Sequence, residues 1–378
     1  MDVTERTKDV ITGSNQLEDL HCLPAFPVFM GSVLHSRSED LTFDMAWSIS
    51  KQSGVIQLKK LLPLDVLYQS QTTTSAVGAL WMEHHRAFAE FVSRYAPRSV
   101  LELGGAHGIL AKEYEKFASI PWTILEPNPA PVTDSKARFI KGFFDDRFEL
   151  DQQIDTVIHS HVFEHLYEPD RFTQHLSGFV SEGQRMLFAV PHLSAWLDKK
   201  YTNCINFEHT VFLTAPYIEY LLAKHGFRVE QKSFFKTDHS IFYACIRDSS
   251  VKPITLDPKL YDANKAIYQR FVSYHEALIA NLNARISETD KPVYLFGAHV
   301  FAQYLIAFGL QTDKIIGLLD NDAKKQGKRL YGTNLTVHSP KVLRDALNPA
   351  VILKAGVYND EIKADILTNI NADTEFFE

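Results

Sequence analysis

The run Val100–Gly108 (VLELGGAHG) limits the fold more tightly than any other part of the chain. A short apolar strand candidate, Ser99–Leu103, ends in glycines and is followed at once by a helix candidate reaching about Phe117. Glycines in such a turn let the backbone reverse sharply and approach a ligand closely. Further strand candidates follow at Trp122–Glu126, Ala137–Phe144, Asp155–His161 and Arg185–Pro191. A helix over Pro216–Gly226 comes next, stopped by its glycine. Two final runs, Arg228–Phe235 and Ser240–Arg247, are spaced as a hairpin. Strands alternating with helices and closing in a hairpin predict an α/β fold: a Rossmann-like, doubly wound, mainly parallel sheet with an antiparallel edge.

The 378 residues allow two or three domains. Residues 1–75 read as a small, irregular N-terminal module: the first twenty are polar, and Leu23–Met30 is apolar but broken by two prolines. Residues 76–250 hold the sheet just described, entered by a helix over Gly78–Tyr95 whose apolar residues recur at helical spacing. Residues 251–378 begin with a linker and a long helix to about Ile286. They continue as a second α/β unit, with strands at Val293–Gly297, Lys314–Asp320 and Val351–Ala355. A net charge of −7 and the absence of a long Lys/Arg cluster argue against a nucleic-acid partner. Cys22, Cys204 and Cys245 form no CxxC pair, which suits a reducing compartment. No apolar run is long enough for a bilayer and the N-terminus has no signal-like segment, so no membrane partner and a cytoplasmic location are expected. No sustained heptad or apolar stripe points to an oligomeric state.

Two carboxylates fall in phase with the glycine turn. Glu102 is at the end of the first strand, and Glu126 ends the next, 24 residues on. A carboxylate at the second place accepts ribose hydroxyls in Rossmann sites. The dinucleotide pattern G-x-G-x-x-G fails here, because the register from Gly104 gives Ala106 and Ile109. That favours S-adenosylmethionine (SAM), which has no pyrophosphate, over NAD, and places Glu102 near the cationic methionine end.

The segments ELGGAHG, LEPNP and SHVFEHLYEP resemble the first three sequence blocks of class I SAM-dependent methyltransferases. The resemblance implies a cofactor site of Glu102, Gly104, Gly105, Gly108, Glu126, Pro127, Phe144, His161 and Val162, with Gly104 and Gly108 lining the ligand and His161 opening the segment beside the reacting methyl. His161, Glu164 and His165 also read as a capped, solvated strand-to-helix turn. No metal is expected at this His-x-x-Glu-His string, which lies in a turn and not on one helical face.

Residues 41–95 and 291–340 resemble the flanking domains of three-part sugar C-methyltransferases, and with the core they cover most of the chain. Such enzymes methylate the carbon beside the carbonyl of a keto sugar linked to a nucleotide, so the implied partner is a small-molecule acceptor of that class. Asn206-Phe207-Glu208-His209 aligns with their Tyr-His-Glu-His stretch. The resemblance makes His209 the base, as suits an imidazole titrating near ~6.5, with Glu208 orienting it or touching the sugar. Tyr68, Tyr201 and His239 are weaker pocket candidates that read first as ordinary packing or surface. The family's N-terminal module carries four zinc-binding cysteines. Here Ser50 and Ser53 stand at the second pair, so no structural zinc is expected and Phe26, Phe29, Phe43 and Trp47 must hold the module by packing. O- or N-methylation, NAD-dependent oxidation through Gly297 and Asp320 of the C-terminal unit, and SAM binding without catalysis remain as alternatives.

Overall fold

A computed structural model describes residues 3–67 and 78–378. Tyr68, and the polar stretch that follows it, lie outside the described residues. Three antiparallel strands, β1 (Leu17–Pro27), β2 (Thr42–Ser50) and β3 (Ile56–Leu58), form the N-terminal sheet in that order. The central sheet has seven strands: β4 (Val100–Leu103), β5 (Trp122–Glu126), β6 (Arg138–Lys141), β7 (Thr156–Ser160), β8 (Arg185–Pro191), β9 (Phe227–Phe235) and β10 (Ser240–Arg247). A C-terminal sheet of five follows: β11 (Val293–Phe296), β12 (Ile315–Leu319), β13 (Val337–His338), β14 (Ala350–Leu353) and β15 (Glu375–Phe377).

The central order is β9-β10-β8-β7-β4-β5-β6, parallel except for the β9–β10 hairpin on one edge. This is the expected Rossmann-like sheet. Strands β4, β7 and β8 are covered on both faces, which is why they read as near-continuous apolar runs. Chain order reverses beside β4, whose neighbours are β5 and β7, and that is where a doubly wound sheet opens a crevice at its carboxyl edge. Helix α1 (Ala79–Ser93) packs Phe88, Phe91 and Val92 against one face of the sheet. Helix α2 (Ile109–Tyr114) follows the glycine turn.

Two expectations for the N-terminal module need correction. Of the two prolines in Leu23–Met30, Pro24 does not break the strand, since β1 runs through it, whereas β1 ends at Pro27. As an edge strand, β1 needs no second set of ladder donors, and its register shifts between Asp19 and His21 and between Leu23 and Phe26 absorb the irregularity. Nor is the polar start loose. Thr4–Glu5 pairs with Lys60–Leu61, and the buried Arg6 guanidinium donates to the carbonyls of Thr210 (2.9 Å) and Tyr167 (2.5 Å). Phe26 and Trp47 are fully buried with Phe43 packed beside them, whereas Phe29 lies against Tyr331 of the C-terminal unit. Their cluster also takes in Trp196, Phe207, Phe271 and Tyr304, so one apolar core joins the N-terminal sheet, the loops after β8 and the helices of the C-terminal unit. Among these is α3 (Leu260–Glu288). No helix among the described residues is long and apolar enough to cross a membrane.

Candidate active site

A cavity of about 510 Å³ opens at the carboxyl edge of the central sheet. Its lining includes Glu102, Gly104, Gly105, Glu126, Pro127, Phe144, His161 and Val162, together with Glu208 and His209. The sequence-predicted residues therefore meet around one space, with one exception. Gly108 is not on the cavity wall. It caps α2 in the left-handed conformation (φ +72°), and a Cβ there would press on Phe139 (3.0 Å) and Ile124 (3.2 Å).

The other two glycines are needed for a reason the sequence did not reveal. A Cβ on Gly104 would meet the Val162 side chain at 2.7 Å, and one on Gly105 would meet Ile124 at 2.7 Å and the Glu102 carboxyl carbon at 2.8 Å. The close approach is between parts of the protein itself, before any ligand arrives.

The two carboxylates are held differently. Glu102 is 3% exposed, with Oε2 accepting a bond from the Trp122 indole at 2.7 Å. Burial pushes its carboxyl up to about 7, against the Trp122 bond, and the nearby Glu126 adds to the rise. Glu126 accepts the backbone N–H of Ala106 at Oε2 and of Asn128 at Oε1, each at 3.0 Å. It thus ties the glycine turn to the end of β5, and each oxygen retains acceptor capacity for a hydroxyl. A buried acid able to ionise against a cation, next to an acceptor-rich carboxylate, fits the methionine and ribose ends of SAM.

His209 Nδ1 lies 3.0 Å from the Asn203 carbonyl and 3.3 Å from that of Cys204. Carbonyls only accept, so Nδ1 carries the proton and Nε2 keeps its lone pair. Burial lowers the affinity of this ring for a second proton, while the carboxylate of Glu164 opposes that effect. Asn206 Oδ1 accepts the backbone N–H groups of Glu208 (2.8 Å) and His209 (3.0 Å), fixing the turn. Phe207 points away into the apolar core, edge-on to Phe26.

Other expectations change on contact with the fold. The turn after β7 is not solvated: Phe163 and Glu164 are 1% and 2% exposed, and Glu164 and His165 border the cavity. His161 takes a left-handed φ of +56°, with its N–H bonded to Ala189. Tyr201 and His239 also border the cavity and are not mere packing. Trp81 and His85 were read only as part of a helix, and their position on the wall was missed. So was the contribution of the C-terminal unit, which supplies His299, Phe301 and Tyr358. Tyr358 accepts a bond from the Trp81 indole at 3.1 Å, joining α1 to that unit. Only the clustering of Trp81, His84 and His85 at one helix start hinted at this. The second glycine turn, at Gly297, thus opens on the same cavity through His299, while Asp320 pairs with Lys325 at 3.0 Å.

Comparison with known families matches residues 80–232 to the methyltransferase domain, which is less than half of the chain. No curated protein matches. Among solved structures, an O-methyltransferase family protein from Burkholderia thailandensis has 14% identity over 45% of this chain and 57% of that one, with a TM-score of 0.37. A SAM-dependent methyltransferase from Mesorhizobium loti has 12% identity over 45% of this chain and 99% of that one, at 0.35. The mitomycin 7-O-methyltransferase has 16% identity over 46% and 55%, at 0.37. The chain thus spans little more than half the length of the first of these. The family match, and not these distant similarities, bears on the reaction. It takes in the glycine turn, both carboxylates and most strands of the central sheet, so residues 80–232 are similar to a methyltransferase domain.

Proposed function

We propose that the enzyme methylates the carbon beside the carbonyl of a nucleotide-linked keto sugar, with His209 as general base. The observation that carries this reading is the state of the His209 ring: Nδ1–H is committed to the Asn203 carbonyl, and the ring borders the cavity with a basic Nε2. A hydrogen on the carbon next to a carbonyl passes as a proton to Nε2, leaving its electron pair as an enolate. Glu164, on the same wall, favours the imidazolium that results. Bound SAM supplies the electrophilic methyl for the enolate carbon. Glu102 and Glu126 hold the methionine and ribose ends, with Gly104, Gly105, Pro127, Phe144, His161 and Val162 shaping that half of the cavity, and Glu208 orients the acceptor beside His209.

Lysine and arginine are absent from the wall among the described residues. That lining suits the uncharged ring of the acceptor better than its phosphates. The resemblance of residues 41–95 and 291–340 to the flanks of sugar C-methyltransferases supports the same acceptor class. The test is transfer of labelled methyl to a panel of nucleotide-linked keto sugars, with NMR of the product. A methyl on carbon is expected, and a methyl on oxygen or nitrogen removes the proposal. His209→Gln should bind SAM normally and lose exchange of the acceptor's acidic hydrogen with deuterated solvent. Undiminished exchange removes His209 from the role of base.

A further inference from the structure

A second group of side chains meets beside the cavity, sharing His161 with the cofactor half described above. Helix α1 contributes His84, the turn after β7 contributes His161, and the residue before β10 contributes His239. They are far apart in sequence, yet one ring nitrogen from each lies within 4.8 Å of the others. The ring centroids are 5.1 Å apart for His84–His161, 5.4 Å for His84–His239 and 6.3 Å for His161–His239. Three imidazoles around one tetrahedral ion, with nitrogens at about 2.1 Å from it, place their centroids roughly 5 Å apart.

His84 is 0% exposed, and neither ring nitrogen has a hydrogen-bond partner. A buried imidazole with both nitrogens unsatisfied loses the hydration of each and gains nothing in return. His161 is set up differently. Glu164 Oε1 stands 3.0 Å from its Nδ1, which favours the Nδ1–H form and leaves Nε2 as the lone pair. A carboxylate behind a histidine is how metal-bound imidazoles are usually oriented. The Ser240 hydroxyl lies 3.0 Å from that Nε2 and 2.7 Å from His239 Nδ1, so an oxygen already stands where the rings converge. His161 and His239 also border the cavity, which gives the site access to solvent. Burial keeps these rings neutral at pH 7, the form that binds metal.

We propose that His84, His161 and His239 form a binding site for one divalent transition-metal ion of the zinc or cobalt kind, with Glu164 orienting His161 and an oxygen, from Ser240 or from water in the cavity, in the fourth position. Imidazole ligands select such ions over magnesium or calcium. The set shares only His161 with the His-x-x-Glu-His string, and it stands whichever acceptor is methylated. A second cluster, Glu164, His165 and His209, also brings ligand atoms within 4.8 Å of one another. There, a metal would occupy the lone pair that His209 uses as a base.

The test is Co²⁺ titration of the full-length protein after chelation, followed by visible absorption, with metal stoichiometry measured by mass spectrometry. One Co²⁺ per chain with a four-coordinate spectrum is expected. His84→Gln and His239→Gln should each weaken binding at least a hundredfold, and Glu164→Gln about ten- to a hundredfold. His209→Gln should leave Co²⁺ binding unchanged. SAM binding by calorimetry verifies that each variant is folded, and His239→Gln carries the test where His84→Gln does not fold. Absence of stoichiometric uptake, or loss of uptake in His209→Gln with retention in His239→Gln, overturns the proposal.

Discussion

Glu102 should make cofactor binding pH-dependent near neutrality. Its carboxyl is pushed up to about 7 by burial, so in the free enzyme roughly half of it is protonated at pH 7. A ligand presenting a cation to it binds the ionised form. Affinity should therefore rise with pH as the free carboxyl titrates and level off above it. With the bound-state pKa well below the range studied, the ionised fraction grows about tenfold from pH 6 to pH 8, equivalent to about 1.4 kcal/mol. Calorimetry at those two values reads the change directly. At pH 7, buffers of different ionisation enthalpy should reveal about half a proton released per cofactor bound. Glu102→Gln is the control, since it removes this titration while leaving any on the ligand. Trp122→Phe removes the bond that holds the carboxyl down, so the midpoint should move to higher pH. A pH profile shared by the wild type and Glu102→Gln would refute the reasoning.

Gly105→Ala should cost about 1–3 kcal/mol in chemical denaturation and weaken SAM binding, because its Cβ would stand 2.7 Å from Ile124 and 2.8 Å from the Glu102 carboxyl carbon. Arg6→Ala takes the guanidinium from the Tyr167 carbonyl and the Thr210 hydroxyl, next in sequence to His209, while the Thr210 carbonyl keeps the Leu58 N–H. It should cost about 3 kcal/mol and lower kcat with SAM affinity retained, as read by denaturation, turnover and calorimetry. Burial holds His159, His161, His165, His239 and His299 down to about 3 and His85 and His275 to about 4, far below their unfolded value, so the unfolded chain binds more protons as pH falls from about 6.5. Their stabilisation is present above that value and is lost on acidification. Each should contribute about 1.4 kcal/mol less at pH 5.5 than at pH 7.5, and urea unfolding at the two values checks the sum.

The central sheet was legible because its signals are local. Buried parallel strands appear as apolar runs, the hairpin as two runs around a polar break, and the turn as glycines between a strand and a helix. The placement of Glu102 and Glu126 was legible for the same reason, each lying near a strand end in a fixed phase. What the glycines avoid was not, because Val162 and Ile124 reach Gly104 and Gly105 only in three dimensions. Likewise, the polarity of Glu164 suggests water, but burial depends on Phe163, Leu166 and the loop of His209 closing over it. Pro24 looked like a break until β1 proved to be an edge strand. The grouping of His84, His161 and His239 needed three separate elements in place before it existed at all.

Ser50, Ser53 and Phe207, which stand where the sequence resemblance would place cysteines and a histidine, are all buried. In place of thiolates, the Ser50 hydroxyl accepts the N–H groups of Gln52 and Ser53, each at 3.2 Å, and the Ser53 hydroxyl accepts that of Val55 at 3.1 Å. The tight turn is therefore kept by neutral hydrogen bonds, while cohesion passes to the core around Phe26 and Trp47. Phe207, standing where the resembled enzymes have histidine, faces that core 5.9 Å from Phe26 and 6.5 Å from Phe43. Asn206 meanwhile keeps His209 in place through the backbone. Phe207→His should therefore not improve the enzyme. An imidazole in this apolar site lacks a partner and fills less volume, and the loss should be about 2–4 kcal/mol in denaturation, with turnover reduced as the loop loosens. Wild-type stability with faster turnover in Phe207→His would show that residue 207 belongs to the reacting end and not to the core.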